Sequence, residues 1–512
     1  MSETASRPLS RVERREQAWA ERKREKKQWR EEARRMREQG QLPPPRPSPT
    51  NAKRSWASKQ EEQQDRQQVG TNYLMVMNRL LPGLLRRFAR VPDFRQAKKV
   101  KHQMDVVLMM GLLSFVLHKA SRRQANRDIT SAALLEVLQL LFPEFDSLPH
   151  HDCVNRVLGH IDVSEIDQIH VDMLRKLIRK RAFARYHVGH IYTVAIDGTQ
   201  KASLSRLWAE ECLEARQGDN TRYSCYVLEA NLVLRGGMSV PLMTEFCEFA
   251  QGEADKQDCE YRALQRLTAR LKHAFPKLKM FIVLDGLYPC GPIFQLLRRH
   301  RWDFMITLKR DSLPSVWVEA DALREVHRDD PHRRYEAKIT WGKREQSFWW
   351  VNDIEYSYGS NPERFEKIHV VVSEERWREP GDDPRLPPPH ALTFAWVSSA
   401  ALKRHNINQR CNLRARARWC IEESFLVEKH HGYEYSHLFS HDWNAMKGYH
   451  LLMRLAHLIN ELALHSALLA PYVEREGVQA FLRFIERTLT GNWLNPVAAR
   501  EVLSRRYQMR GT

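Results

Sequence analysis

The residues Ile191-Tyr-Thr-Val-Ala-Ile-Asp197 form a short run of apolar and β-branched side chains that closes on a carboxylate. Such a run predicts a buried strand, because it is rich in strand-favouring residues and too short for a typical helix. The run Lys279-Met-Phe-Ile-Val-Leu-Asp285 has the same character and also ends in an aspartate. The two runs therefore predict two buried strands, each carrying an aspartate at its end.

Further elements are predicted between and after these two runs. Gly236-Gly237 separates two apolar runs and is typical of a hairpin turn. The remaining predicted elements are strands at 226–234, 239–246 and 303–308 and helices at 255–274 and 293–299. The predicted order is β-β-β-α-β-α-β, which indicates a mixed α/β core.

Changes in composition divide the chain into six segments. The first is poor in apolar side chains and rich in Arg, Lys, Glu and Gln, which indicates a mobile basic arm or, alternatively, a solubilising tail. The segments are the arm at 1–70, an all-helical domain at 71–187, the first part of the α/β core at 188–310, a β-rich insertion at 311–398, helices that complete the core at 399–465 and a C-terminal helical region at 466–512.

Positive charge exceeds negative charge by a wide margin. The chain has 82 Lys and Arg against 63 Asp and Glu, a formal net charge of +19. Such a surplus is expected of a protein that meets a polyanion, most commonly nucleic acid, although a membrane surface or plain solubility would also account for it. We interpret the basic helical segment 71–187 as a DNA-binding domain, with a packing domain that has a solvated basic face as the alternative.

Composition also excludes several classes of protein. An apolar fraction of 42% with 21 Gly and 24 Pro excludes a collagenous or wholly disordered chain. The 8 cysteines form no Cys-x-x-Cys pair, which is typical of scattered thiols in a reducing compartment. The longest apolar run, 106–117, is shorter than the ~20 residues that a bilayer requires, and the N-terminus has no apolar signal core. We therefore expect a cytoplasmic protein without a membrane partner.

A cluster of charged residues stands out near residue 420. On a helix with about 100° per residue, Arg418, Glu422 and Lys429 fall within about 40° of one another. Apolar side chains, Trp419 and Phe425 among them, flank this stripe on both sides. A carboxylate enclosed by apolar groups, with cations one and two turns away, indicates a site, although a partly buried ladder of ion pairs would show the same pattern.

Two strand-end aspartates and one helical glutamate are the parts of a two-metal site. Cleavage of a phosphodiester requires charge neutralisation on both the attacking and the leaving oxygen, and two Mg²⁺ ions roughly 3.5–4 Å apart supply it. Carboxylate oxygens are the ligands that Mg²⁺ prefers, and strand ends and helices hold them still. Asp197, Asp285 and Glu422 are therefore the candidate metal ligands.

With these residues in place, the chain resembles the DDE transposases of bacterial insertion sequences, which have an RNase H-like catalytic core. That group carries a Tyr-x2-Arg-x3-Glu-x6-Lys signature, which Arg418, Glu422 and Lys429 fit while Ala415 takes the tyrosine position. Ile196-Asp197-Gly198-Thr199 and Leu284-Asp285-Gly286-Leu287-Tyr288 resemble its first and second carboxylate motifs. The resemblance covers about residues 190–460.

The resemblance implies specific roles for these residues. It makes Asp197, Asp285 and Glu422 the catalytic residues and the ligands of two Mg²⁺ ions, for which Mn²⁺ can substitute. It assigns Arg418 and Lys429 to the phosphates of the transposon end. It also implies that an aromatic residue of the β-rich insertion stacks on a flipped base, a role for which Trp341, Trp349 and Trp350 are the candidates. Packing of these tryptophans in the core of the insertion is the alternative.

The implied function is DNA transposition. The protein would bind the ends of its own element, cleave phosphodiester bonds and join the freed 3′-hydroxyl to target DNA, as a homodimer on double-stranded DNA in the bacterial cytoplasm, associated with the nucleoid. Two other functions stay open at this stage. One is a catalytically idle DNA-binding descendant of a transposase, and the other is an RNase H-like nuclease that never rejoins ends.

Overall fold

The computed structural model describes residues 56–217, 220–248, 256–327, 335–360, 363–379 and 388–511, together with single helical positions between 17 and 36. The chain divides into two compact units. The large unit comprises Pro47–Tyr335, Trp350–Val371 and Ala395–Thr512, and the small unit comprises Met1–Arg46, Glu336–Trp349 and Val372–Phe394. Most of the predicted basic arm lies outside the described residues.

The large unit begins with a group of helices, as the sequence predicts. They are α1 (Lys59–Phe88), α2 (Met104–Val116), α3 (Arg122–Asp128), α4 (Ala132–Gln139), α5 (His151–Leu158) and α6 (Ser164–Arg179). The Ser58 side chain caps α1 by accepting a hydrogen bond from the Glu61 backbone N–H. Helix α1 therefore starts inside the segment predicted as an arm, and its Val69 is already fully buried.

A mixed sheet follows the helices. Its elements are β1 (Tyr192–Leu204), β2 (Leu213–Gln217), β3 (Asn220–Val233), β4 (Ser239–Cys247), α7 (Lys256–Ala274), β5 (Met280–Leu284), α8 (Gly291–Arg299) and β6 (Asp303–Thr307). Strand β1 is antiparallel to β3 and parallel to β5, β3 is antiparallel to β4, and β5 is parallel to β6. The positive φ angles of Gly236 and Gly237 close the predicted hairpin between β3 and β4.

One strand differs from its prediction in a way that matters for the site. Strand β1 continues to Leu204, so Asp197 lies inside the strand rather than at its end. The reason is that β1 has two partners of different length. It pairs with β5 only as far as Ala195, but it pairs with the long strand β3 from Val194 to Leu204. Asp197 therefore lies two residues beyond the last residue of β1 that pairs with β5.

The predicted β-rich insertion contains strands and one unpredicted helix. They are α9 (Pro314–Val326), β7 (Glu336–Trp341), β8 (Arg344–Tyr358), β9 (Arg364–Trp377) and β10 (His390–Ser398). In the small unit, β7 and β8 form an antiparallel hairpin around Gly342, whose φ is 61°. In the large unit, the end of β10 pairs antiparallel with β6, with Trp396 opposite Thr307.

The chain ends in helices, as predicted. They are α10 (Arg404–Ile407), a π-helical turn (Asn408–Asn412), a 3₁₀ turn (Ala415–Arg418), α11 (Trp419–His430), α12 (Trp443–Leu464), α13 (Ala470–Glu476), α14 (Val478–Thr490) and α15 (Pro496–Ser504). Helix α12 is almost wholly buried and packs closely on α2, because a Cβ on Gly111 would lie 2.8 Å from Leu452 Cδ1. None of the helices in the described part of the chain has the length and apolar content that a bilayer crossing requires.

Candidate active site

Strands β1 and β5 bring the two aspartates to the same edge of the sheet. Ala195 and Val283 are the last paired residues of the two parallel strands. Asp197 and Asp285 each follow two positions later, and the carboxyl ends of parallel strands meet at one edge of a sheet. Both aspartates therefore project beyond the paired region at neighbouring positions.

The side chain of Arg418 joins both aspartates to Glu422. Its Nη1 atom lies 2.8 Å from Glu422 Oε1 and 3.5 Å from Asp197 Oδ2. Its Nη2 atom lies 3.9 Å from Asp285 Oδ1. The structure thus brings together four of the residues that the sequence analysis singled out, with one guanidinium shared by three carboxylates.

The local fold explains this arrangement. Arg418 closes the 3₁₀ turn immediately before α11, and Glu422 lies one helical turn later, so the two side chains meet as an i,i+4 pair. The guanidinium also lies over the Trp419 ring, 4.3 Å from its centre. Because Arg418 is only 4% exposed, its orientation is determined by packing as well as by charge.

Burial and like charge dominate the electrostatics of the site. Burial raises the pKa of Asp197 to about 7, against the effect of Arg418, and the carboxylates of Glu422 and Asp285 add to the increase. Burial disfavours the charge on Arg418, but the three carboxylates outweigh it and raise the pKa of this guanidinium. The site is therefore an anionic cluster that requires positive charge to be stable near neutral pH.

Lys429 lies on the same helix but contacts a different part of β1. Its Nζ atom donates a hydrogen bond to Thr199 Oγ1 at 2.7 Å. The ammonium also lies 5.9 Å from the ring centre of Phe425 and 5.7 Å from that of Tyr435. Burial lowers the pKa of Lys429, although the charges of Glu428 and Asp197 oppose this shift.

The donor set suits a hard divalent cation, yet a cation does not fit without a rearrangement. The three carboxylates offer oxygen ligands only, and they already converge on one positive group. In the described residues, no three Asp, Glu, His or Cys side chains lie close enough together to hold a metal ion as they stand. The guanidinium of Arg418 lies between the carboxylates, so a metal ion would have to displace it.

A fourth carboxylate approaches the site from α7. A Cβ on Gly198, next to Asp197, would lie 3.1 Å from Glu260 Oε1. The sequence places Glu260 at the start of a helix, where the helix dipole alone explains an acidic residue. The structure shows that its side chain is buried against β1 instead.

The three candidate tryptophans are placed differently. Trp349 and Trp350 are each 4% exposed, so neither ring is open to a base in this conformation. Trp341, at the end of β7, is partly exposed. The role of these residues in base stacking stays a prediction, and Trp341 is the most exposed of the three.

Behind the site lies a buried polar network that the sequence analysis missed. Arg454 on α12 pairs with Glu428 of α11 at 2.7 Å and with Glu229 of β3 at 3.2 Å. His457 donates from Nδ1 to Glu428 at 2.6 Å, and Glu229 accepts from His450 Nε2 at 2.9 Å. All five side chains are at most 3% exposed.

This network ties the helix that carries Glu422 to the strand beside Asp197. Glu229 lies directly opposite Asp197 in the β1–β3 pairing, and Glu428 lies on the same helix as Glu422. Ser424 of α11 also contacts the Asn231 side chain of β3 at 3.1 Å. A signal for the network was present in the sequence, because Glu229 and Arg454 interrupt otherwise apolar runs, which indicates buried charges with partners.

Comparison with known proteins relates the helical part of the large unit to a family. A family model described as DDE_Tnp_1-associated matches residues 85–173, from the last turn of α1 into α6. No curated protein matches the chain. Through this segment the chain is similar to proteins of the DDE transposase type.

Proposed function

We propose that the protein is a DDE transposase that cleaves the ends of a DNA element and joins them to target DNA. The observation that carries this proposal is the convergence of Asp197, Asp285 and Glu422 on one cation, from two neighbouring strands and a helix. The match of residues 85–173 to a transposase-associated family model supports it independently, because none of these residues belongs to the carboxylate cluster.

The topology supports an RNase H-like core as part of this proposal. Strands β4, β3 and β1 form an antiparallel series, and β5 and β6 continue the sheet parallel to β1. Helices α7 and α8 precede β5 and β6 as connections between parallel strands. The resemblance to an RNase H-like enzyme implies such an arrangement, in which Asp197 lies in β1 and Asp285 directly follows the adjacent strand β5.

In this proposal, each residue of the candidate active site has its own role in phosphodiester cleavage. Asp197, Asp285 and Glu422 would hold two Mg²⁺ ions, which when bound would stabilise charge on the attacking and leaving oxygens. Arg418 holds the three carboxylates together, and its displacement by a divalent cation would free it for a phosphate of the DNA. Lys429, beside Thr199, would contact a neighbouring phosphate and help to align the scissile bond.

DNA and a second copy of the chain are the partners in this proposal. The net charge of +19 favours binding to a polyanion. Transposition requires two element ends to be brought together, so we propose a homodimer on DNA.

The test uses a plasmid that carries the coding sequence with its native flanking DNA. Wild-type protein with Mg²⁺ should cut at the element ends, and Asp197→Asn, Asp285→Asn and Glu422→Gln should each reduce cutting at least ~10³-fold with the melting temperature kept. Asp146→Asn, at an exposed surface carboxylate, is the matched control.

A second substrate separates the remaining functions. Precut ends with a free 3′-hydroxyl should be joined to target DNA by a transposase. Cleavage without joining would assign the chain to the nucleases. If the wild-type protein bound DNA without cleaving it, the chain would belong with the catalytically idle DNA-binding descendants. If a variant of Asp197, Asp285 or Glu422 cleaved normally, that residue would not belong to the active site.

A further inference from the structure

A groove with a strongly positive lining lies between α1 and α6 in the large unit. It encloses about 600 Å³, and residues 507–509 near the end of the chain line it as well. Its lining includes Gly83 and the cations Arg79, Arg86, Arg87, Arg90, Lys176 and Lys180. The groove is separate from the carboxylate cluster, because it shares no residue with it.

Five cations of this groove have no carboxylate partner within the described residues. Arg79, Arg86, Arg90, Lys176 and Lys180 are exposed, and no ion pair involves them in that part of the chain. The lining residue Arg87 behaves differently, because its Nη1 atom lies 2.5 Å from Asp172 Oδ2. This pair joins α1 to α6, whereas the five other cations leave an uncompensated positive charge along the groove.

The spacing of the cations fits an extended anion rather than a small one. Arg79, Gly83 and Arg86 recur every three or four residues and form one stripe on α1, and Arg90 follows in the turn after the helix ends at Phe88. At 1.5 Å per residue the helical part of this stripe, from Arg79 to Arg86, is roughly 10 Å long. One strand of duplex DNA carries a phosphate per roughly 3.4 Å of helix axis, so several successive phosphates match this length.

Gly83 leaves the middle of the groove open. A Cβ at this position would meet no atom within 4 Å. Glycine inside a helix costs about 1 kcal/mol relative to alanine, so the fold does not require it here. The open space around Gly83 lets a phosphate backbone approach the helix surface between the cations, and it is wide enough that an alanine here would not close it.

We propose that this groove binds the phosphodiester backbone of duplex DNA, outside the catalytic site. The proposal rests on the proposed function in one respect, namely that DNA is the ligand. Duplex is favoured over single strands because Tyr507 is the only aromatic residue among the described residues of the lining and is half-buried, whereas single-strand sites use exposed aromatic rings as stacking platforms.

The first experiment measures the salt dependence of binding. Full-length protein is titrated against a mixed-sequence duplex by fluorescence anisotropy between 50 and 300 mM salt. The triple variant Arg86→Ala, Arg90→Ala, Lys180→Ala should lower the slope of log K against log salt by about two to three units, since each phosphate contact contributes about 0.9. Binding at 0.15 M salt should fall roughly tenfold or more.

A matched triple variant controls for net charge. Arg206→Ala, Arg235→Ala, Lys277→Ala removes the same number of exposed cations from outside the groove. Its slope should change by less than about half a unit. Equal slopes for the two triple variants would overturn the proposal, as would failure of the wild-type protein to bind the duplex.

Gly83 provides a second test that removes no cation. Gly83→Glu places a carboxylate among the cations and should weaken duplex binding roughly tenfold, while Gly83→Ala should bind as the wild type does. Unchanged melting temperatures would show that both variants fold. Normal duplex binding by Gly83→Glu would contradict a backbone contact at this point.

Two further readouts separate this proposal from the proposed function. If the groove variants lose binding to a single strand more than to the duplex, the assignment to duplex DNA is wrong. If the groove variants lose duplex binding while the wild-type protein shows no cleavage, the result supports the groove as a DNA-binding site and contradicts the transposase function. If the groove variants bind duplex DNA normally while the wild-type protein cleaves, the result contradicts the groove as a DNA-binding site and supports the transposase function.

Discussion

Arg418 controls the stability of the candidate site because it is the cation that three carboxylates share. It is nearly fully buried, so water does not screen these contacts effectively. Removal of one partner from a buried ionic cluster is costly, because the groups left behind keep their charge without compensation. The same position would have to be vacated for divalent cations, so we expect Arg418 and a metal ion to compete for the same carboxylates.

Arg418→Met should therefore make the protein respond more strongly to Mg²⁺. We expect this variant to lose about 3–5 kcal/mol of stability without Mg²⁺ and to recover part of it in millimolar Mg²⁺. The wild-type melting temperature should rise less over the same range. Arg416→Met is the control, because buried Arg416 donates to Asn412 instead. Melting curves with and without Mg²⁺ that show no difference between the two variants would refute the competition.

Lys429 is the more accessible of the two site cations. Its ammonium keeps a hydrogen bond to Thr199 but is not enclosed by carboxylates as Arg418 is. Lys429→Ala should lower the salt slope of binding to element-end DNA by roughly one unit and should reduce cleavage further than binding. Thr199→Val removes the hydrogen-bond partner but not the charge, so its slope should stay at the wild-type value. An unchanged slope with a lowered melting temperature in Lys429→Ala would assign Lys429 to folding.

At the scale of secondary-structure elements, the buried network fixes α11 against β3 and α12. Two carboxylates, Glu229 and Glu428, face Arg454 and His457 in this network. Burial disfavours a charge on His457, but the bonds to Glu428 and Glu461 outweigh it and raise its pKa to about 9. Burial lowers the pKa of His450 instead. Glu229 and Glu428 thus face Arg454 and a protonated His457, and this pairing makes the burial of these four charges tolerable.

The raised pKa of His457 predicts a pH dependence of stability. The native state binds the proton more tightly than the unfolded state, so His457 stabilises the fold fully below about pH 6.5. This contribution should be lost as the pH rises to about 9. The groups that face His457 are Tyr433, His118 and the carboxylates of Glu428 and Glu461. Denaturant unfolding should show a decrease of about 1–3 kcal/mol over this range.

His457→Gln should remove most of that decrease and leave a flatter stability profile. Replacement of the exposed His273 by Gln is the control, and it should leave the pH profile as it is. A decrease of the same size in His457→Gln and in the wild type would show that another group causes it. Cleavage by His457→Gln should also fall, because α11 positions Glu422.

At the scale of the whole large unit, the last helices complete the core of the first ones. Lys119, which follows α2, is 1% exposed and pairs with Glu486 of α14. Arg66 of α1 donates a hydrogen bond to Thr488 of α14 at 3.0 Å. The Cβ of an alanine at Gly70 would lie 2.8 Å from Leu494 Cδ2, so α1 and the segment after α14 are in close contact. Residues more than 350 positions apart thus share one packed region.

The Lys119–Glu486 pair offers a test of this long-range packing. Lys119→Met should destabilise the protein by about 2–4 kcal/mol, because Glu486 and Asp128 lose a buried counter-charge. The double variant Lys119→Met, Glu486→Gln should recover much of that loss. Thermal and denaturant unfolding measure both. Additive losses in the double variant would show that the two residues are not coupled.

Local elements were predictable where a single strong pattern controls them. The strand predicted at 279–285 appears as Met280–Leu284, and the helix predicted at 255–274 appears as Lys256–Ala274. Prediction failed for β2 and α9, which carry no strong periodicity of their own. It also failed at Asp197, since the length of β1 depends on its long partner β3, and the sequence of β1 carries no information about that partner.

The sequence by itself determined the identity of the candidate residues, the order of strands and helices in the α/β core apart from β2, and the i,i+4 meeting of Arg418 with Glu422, because these depend on local spacing. Only the tertiary structure decided that Arg418 is shared with Asp197 and Asp285, that Glu229, Glu428, Arg454 and His457 form one buried network, and that the cations of α1 and α6 line one groove. The physical reason is that each of these arrangements joins residues far apart in the chain. Their distances depend on how sheets and helices pack, and local propensity does not specify that packing.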